Sequence, residues 1–119
     1  LNHVRRHLLL ASGAAMLCPA PLLFAAPATS IAAAHTQLAA LEQADIVLMY
    51  FAPGTQSPIT LLEFGLYARS GKLLVAAPAG YWRKGNLDIT GDRYGVPRFD
   101  DLPALIDAVK QRIADQRTR

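Results

Sequence analysis

From residue 35 onward the hydrophobic and polar positions alternate between two periods. HTQLAALEQA, His35 to Ala44, sets Leu38 and Leu41 three apart among polar residues, the spacing of a one-sided helix. Asp45 to Phe51, DIVLMYF, is a continuous apolar run rich in β-branched and aromatic side chains, as expected of a strand buried on both faces of a parallel sheet. Pro53 and Gly54 stop it. Ser57-Pro58 predicts a helix start, with the serine hydroxyl capping an orphan amide and proline at the first helical position. That helix runs to about Ser70, with Gly71 as a left-handed cap, and Lys72 to Ala77 is a second buried strand reached by a right-handed crossover.

A loop spans Pro78 to Gly85. Beyond it, Leu87 and Ile89 alternate like a short edge strand, and Tyr94 to Pro97 reads as a turn. Asp101 caps a last helix reaching about Asp115, its inward face built from Leu102, Leu105, Ile106, Val109 and Ile113. Alternating helices and buried strands predict an α/β fold, a three-layer doubly wound (flavodoxin-like) parallel sheet. Such sheets hold ligands beyond the carboxyl ends of their strands, here after Phe51 and Ala77.

Residues 1–34 differ: they contain no acidic residue and are dominated by Ala, Leu and Pro. Two readings stand side by side. In one, Arg5-Arg6 opens a twin-arginine-like export leader, Leu8 to Phe24 is its broken apolar stretch, and Ala26-Pro27-Ala28 or Ala32-Ala33-Ala34 offers the cleavage site. In the other the stretch is an aberrant start to the domain, and the protein stays in the cytoplasm. Pro19 and Pro21 interrupt the apolar run, which argues against a stable membrane span. The division expected is thus a leader-like or aberrant segment, 1–34, and one α/β domain, 35–119.

Composition narrows the chemistry. At 119 residues and 52% apolar content there is room for one core and no second substrate domain. The net charge of +3 comes from twelve scattered basic residues. They form no stripe for a phosphate backbone, so no nucleic-acid partner is expected. A single cysteine, Cys18, rules out an internal disulfide, and no Cys/His spacing suggests zinc.

Glu63 is the residue that asks for an explanation. It lies in the second turn of the predicted helix, within the otherwise apolar ITLLEFGL, where burying an unpaired carboxylate costs several kcal/mol or neutralises it. The ordinary alternative is a half-exposed acid paired with Arg69 or Lys72. Gly65, two residues on, costs about 1 kcal/mol in a helix interior and points to a close approach of backbone or ligand.

The linked motifs of ADIVLMYFAPGTQSPITLLEFGLYARSGKLLVAAPAGYWRKGNLDI resemble the nucleoside 2-deoxyribosyltransferase-like family: Ala-Asp opening a strand, SPITLLEFG opening a helix, then Ser-Gly-Lys and Trp-Arg-Lys-Gly-Asn. The resemblance runs from about Gln37 to Ile113. It implies a retaining double displacement on a deoxynucleoside or deoxynucleotide, with Glu63 as nucleophile, no metal or organic cofactor, and a homo-oligomer. It further implies that Asp45 helps bind sugar or base, and that Asn86 reaches a neighbouring subunit's pocket to hold a sugar hydroxyl. Tyr81 and Trp82 are candidates to stack a nucleobase. Six residues before Glu63, where the better-known transferases carry a substrate-binding aspartate, this chain has Ser57, a possible hydrogen-bond donor. The family's first strand has no counterpart before Gln37 in this reading, so the sheet is expected to be incomplete at its N-terminus. The rival to an enzyme is a non-catalytic α/β nucleotide-binding or interaction module that keeps the fold without turnover.

Overall fold

The computed structural model describes residues 8–12, 22–25 and 31–118. Arg5-Arg6, Cys18, Pro19, Pro21 and Ala26-Pro27-Ala28, on which the leader reading turns, lie outside the described residues. Five strands are present, β1 (Leu8–Ser12), β2 (Leu22–Ala25), β3 (Ile46–Tyr50), β4 (Leu73–Ala76) and β5 (Arg98–Phe99). Four helices join them, α1 (Ile31–Gln43), α2 (Pro58–Tyr67), α3 (Lys84–Tyr94) and α4 (Leu102–Arg117). All pairings are parallel, in the order β2-β1-β3-β4-β5. The α/β doubly wound class read from the sequence is the class observed.

The central strands sit where their apolar runs place them, because only a strand with helices on both faces buries every side chain of such a run. Alternate residues divide between the faces. Val47, Met49, Phe51, Leu73, Val75 and Ala77 pack with Leu41, Phe64, Ala68, Tyr81 and Leu87, from the α1, α2 and α3 side. Ile46, Leu48, Leu74 and Ala76 face Leu105 and Val109 of α4. Phe51, wholly buried, contributes on the order of 2–3 kcal/mol to this core.

Four sequence expectations change. No strand is expected before Gln37, yet the backbone pairs Leu8–Ser12 alongside Ile46–Tyr50 and sets Leu22–Ala25 outside it. The first helix begins at Ile31, ahead of His35, so a boundary at residue 34 falls within it. The segment read as an edge strand around Leu87 and Ile89 is helix α3: Leu87 and Gly91 are buried one turn apart, whereas Ile89 is exposed. Gly95, left-handed at φ 69°, ends that helix as its backbone N–H returns to the Gly91 carbonyl. On α4, Leu102, Leu105, Val109 and Ile113 face inward, but Ile106 is partly turned out, at 37% exposure. Asp101 caps α4 as its sequence position predicts, accepting from Ala104 N at 2.8 Å.

Candidate active site

The loop leaving β3 turns sharply before α2. Ser57 is the one non-glycine residue among the described residues with positive φ, at 48°, a region that costs a β-carbon-bearing residue about 1–2 kcal/mol. The expected hydroxyl cap does not form: a capping serine ordinarily has extended backbone, and Ser57 is left-handed. Thr55 gives its hydroxyl proton to the Ala52 carbonyl at 2.7 Å, so Ser57 is the donor in the 3.1 Å contact between the two hydroxyls. Pro58 begins the helix, where a missing N–H has no consequence.

Helix α2 then turns an unexpected face inward. Thr60, Glu63 and Phe64, spaced i, i+3, i+4, are its buried residues, whereas Ile59, Leu62 and Leu66 are about 60% exposed. Glu63 itself is only 3% exposed. A helix optimised for stability would exchange these roles, and the inward carboxylate is what needs explaining. One oxygen, Oε1, accepts a short hydrogen bond from Gln37 Nε2, on α1. The other, Oε2, is buried and has no hydrogen-bond partner among the described residues. Burial strips the carboxylate of water and raises its pKa above the ordinary value, while the Gln37 amide pulls it back down. Tyr67, one turn along, has its phenol raised by burial and by the negative charges of Glu42 and Glu63.

The pairing of Glu63 with Arg69 or Lys72 is absent, since both cations are engaged elsewhere. Arg69 donates to the Tyr94 hydroxyl at 3.1 Å, and Lys72 donates to the carbonyls of Leu41 and Glu42 at 2.8 and 2.9 Å. Gly65 is exposed, and a β-carbon there would meet nothing within 4 Å, so no close approach accounts for it.

The remaining candidates fall into three places. Ser57, Tyr81 and Trp82 gather at the loop before α2, where the Gln56 carbonyl accepts from Tyr81 Oη at 2.7 Å and Trp82 Nε1 at 3.2 Å. Tyr81 is buried against Phe51, ring centroids 5.0 Å apart, and Phe51 in turn meets Phe64 edge-on. Its ring is therefore a core element that fastens the loop, with no free face for a base. Trp82 is more than half exposed, with the Arg83 guanidinium 4.1 Å from its ring centre. Asn86 lies exposed in the first turn of α3. Asp45 stands apart, before the amino end of β3, lining a cavity of about 260 Å³ with Gly71, Arg112, Asp115 and Gln116. The geometry thus joins Ser57, Tyr81 and Trp82 and leaves Asp45 at the opposite end of the sheet. Gln37 is the residue that the sequence reading missed. Its position one helical turn before the fully buried Leu41, on the same side of α1, is the signal that it faces inward.

Among the described residues no group of three or more His, Cys, Asp or Glu is placed to hold a metal ion, and no helix is long and apolar enough to cross a membrane.

Fold and site together define a parallel α/β protein with a carboxylate buried on the helix that follows its central strand. Residues 28–81 match the model of the family described as nucleoside 2-deoxyribosyltransferase like, which bears out the resemblance seen in the sequence over that segment. At the level of the family, the match points to a nucleoside deoxyribosyltransferase-like function acting on a small nucleoside substrate. No curated protein matches the chain.

Proposed function

We propose that the chain transfers the 2-deoxyribosyl group of a deoxynucleoside or deoxynucleotide through a covalent ester on Glu63. The observation that carries this reading is the Glu63 carboxylate on the inward face of α2, one oxygen held by Gln37 and the other unpaired. In the first displacement a carboxylate oxygen bonds to C1′ and the N-glycosidic bond breaks. Its electron pair leaves with the base, which takes a proton from water. In the second, a ring nitrogen of an incoming base attacks C1′, the ester C–O bond returns its pair to the carboxylate, and the base gives up its N–H proton to water. Water as the acceptor makes the same chemistry a hydrolysis. Ser57 and Trp82, beside the Gln56 carbonyl, and Asn86 are the polar groups assigned to sugar and base. The exposed Ile59, Leu62 and Leu66 support association between copies of the chain.

The test incubates the folded chain with a 2-deoxynucleoside and a second free base, separates products by chromatography, and weighs the quenched protein. Exchanged nucleoside, and a 2-deoxyribosyl mass increment on the peptide containing Glu63, are expected. Exchange that persists in Glu63→Ala removes the nucleophile assignment. A folded chain that neither exchanges nor hydrolyses is the non-catalytic module.

A further inference from the structure

Among the described residues Glu63 draws its one side-chain hydrogen bond from an element far away in sequence, and this makes its two oxygens unequal. Gln37 lies 26 residues earlier, on α1, and its amide meets Oε1 alone. A carboxylate gripped at one oxygen loses rotation about its last bond, and its remaining charge density is directed through the ungripped oxygen.

We infer that Gln37 is the positioning residue for Glu63: by donating to Oε1 it locks the carboxylate plane and presents Oε2 as the oxygen that bonds to C1′. This rests on the nucleophile reading and names the atom and the support that reading requires. A donor is the right partner here, because it favours the ionised form, which is by far the stronger nucleophile. Neither a carboxylate nor an apolar side chain at position 37 performs this role. The first repels the charge, and the second leaves two buried oxygens unsatisfied. Other groups around the pair do not substitute for it. Tyr67 feels the charge of Glu63, and Lys72, 5.3 Å from the Tyr67 ring centre, is bound to the α1 carbonyls.

The sequence allows a clean measurement, since Glu42 and Glu63 are its only glutamates. Full-length chain labelled with ¹³C at the glutamate side-chain carboxyl gives two signals, and Glu63→Gln identifies one of them. Gln37→Met keeps the volume without the donor, and Gln37→Asp places a like charge in its stead without adding a glutamate signal. Both are checked for folding by circular dichroism. In each, the Glu63 signal titrates at higher pH than in wild type, more so in Gln37→Asp. Exchange between thymidine and adenine falls about tenfold to a hundredfold in kcat with KM little changed, and the acidic limb of its pH profile moves upward with the NMR midpoint. An unmoved Glu63 titration in Gln37→Met, or a loss confined to KM, overturns the assignment. A wild-type chain without turnover on thymidine and adenine, or on a panel of other deoxynucleosides, sinks the nucleophile reading and the positioning role with it. That result is told apart from failure of the Gln37 contact, because the NMR comparison of wild type with Gln37→Met needs no activity.

Discussion

Replacing Glu63 by glutamine abolishes transfer and, at the same time, makes the protein more stable. The perturbation is nearly isosteric, so packing against Thr60 and Phe64 is retained while the charge disappears. In the native chain one carboxylate oxygen is buried without a partner among the described residues, a defect that costs about 1–3 kcal/mol, and the Gln37 bond offsets only the other oxygen. Glutamine puts an unpaired NH2 where Oε2 was, so the missing hydrogen bond remains and only the cost of the charge is removed near neutral pH; Glu63→Gln gains about 1 kcal/mol, or about 4 °C in Tm for a domain of this size. The pH dependence has a definite sign. Burial raises the folded-state pKa above the 4.5 of a free glutamate, so the native state binds the proton more tightly than the unfolded chain. The contribution of this group is fully present below about pH 4.5 and is lost as pH rises through the raised native value. Wild type and variant therefore melt together near pH 4 and separate at pH 8. Thermal unfolding followed by circular dichroism at both pH values decides it. A variant that is less stable at pH 8, or one whose advantage is the same at pH 4, refutes the claim that the buried charge is the source of the cost.

Other substitutions probe the frame around the site. Gly91→Ala sets a β-carbon 2.7 Å from Arg98 Cδ, displacing the guanidinium from Asp92 and the Asp88 carbonyl, and costs about 1–3 kcal/mol in urea unfolding; most of that loss vanishes in an Arg98→Ala background. Asp101→Ala removes the cap of α4 and lowers stability by about 1 kcal/mol, measured the same way, without affecting exchange. Asp45→Ala leaves kcat and KM for exchange unchanged, since its side chain lines a cavity at the amino ends of the strands; a loss of turnover would restore the sugar-binding role that the family resemblance implies.

What the sequence disclosed, and what it hid, follows from the range of the interactions concerned. Strands β3 and β4 were readable because each is an uninterrupted apolar run, and α4 because Asp101 announces it through a bond only three residues long. Helix α3 was not. Two glycines, a short apolar repeat and few strong helix formers give Lys84–Tyr94 little local identity, and its helicity rests on docking Leu87 into the core and Gly91 under the Arg98 side chain. Glu63 stands out as an acid in an apolar run, yet the run misleads about direction, since Ile59, Leu62 and Leu66 point outward and the acid inward. Gln37 looks like any polar helix residue until the chain brings it to Glu63. Helical spacing from Leu41 marks the side of α1 that Gln37 shares but does not name its partner on α2.

Strand β5 has only two residues, and Pro97 precedes it. Its rung to the sheet consists of Val75 N to the Pro97 carbonyl at 3.1 Å and Ala77 N to the Phe99 carbonyl at 3.2 Å. So small a border offers an incoming strand almost no template, which protects this side of the molecule from the runaway zippering that ends in fibrils. Polymerisation by sheet extension is closed off there, and any ordered assembly on that flank has to be built from side chains.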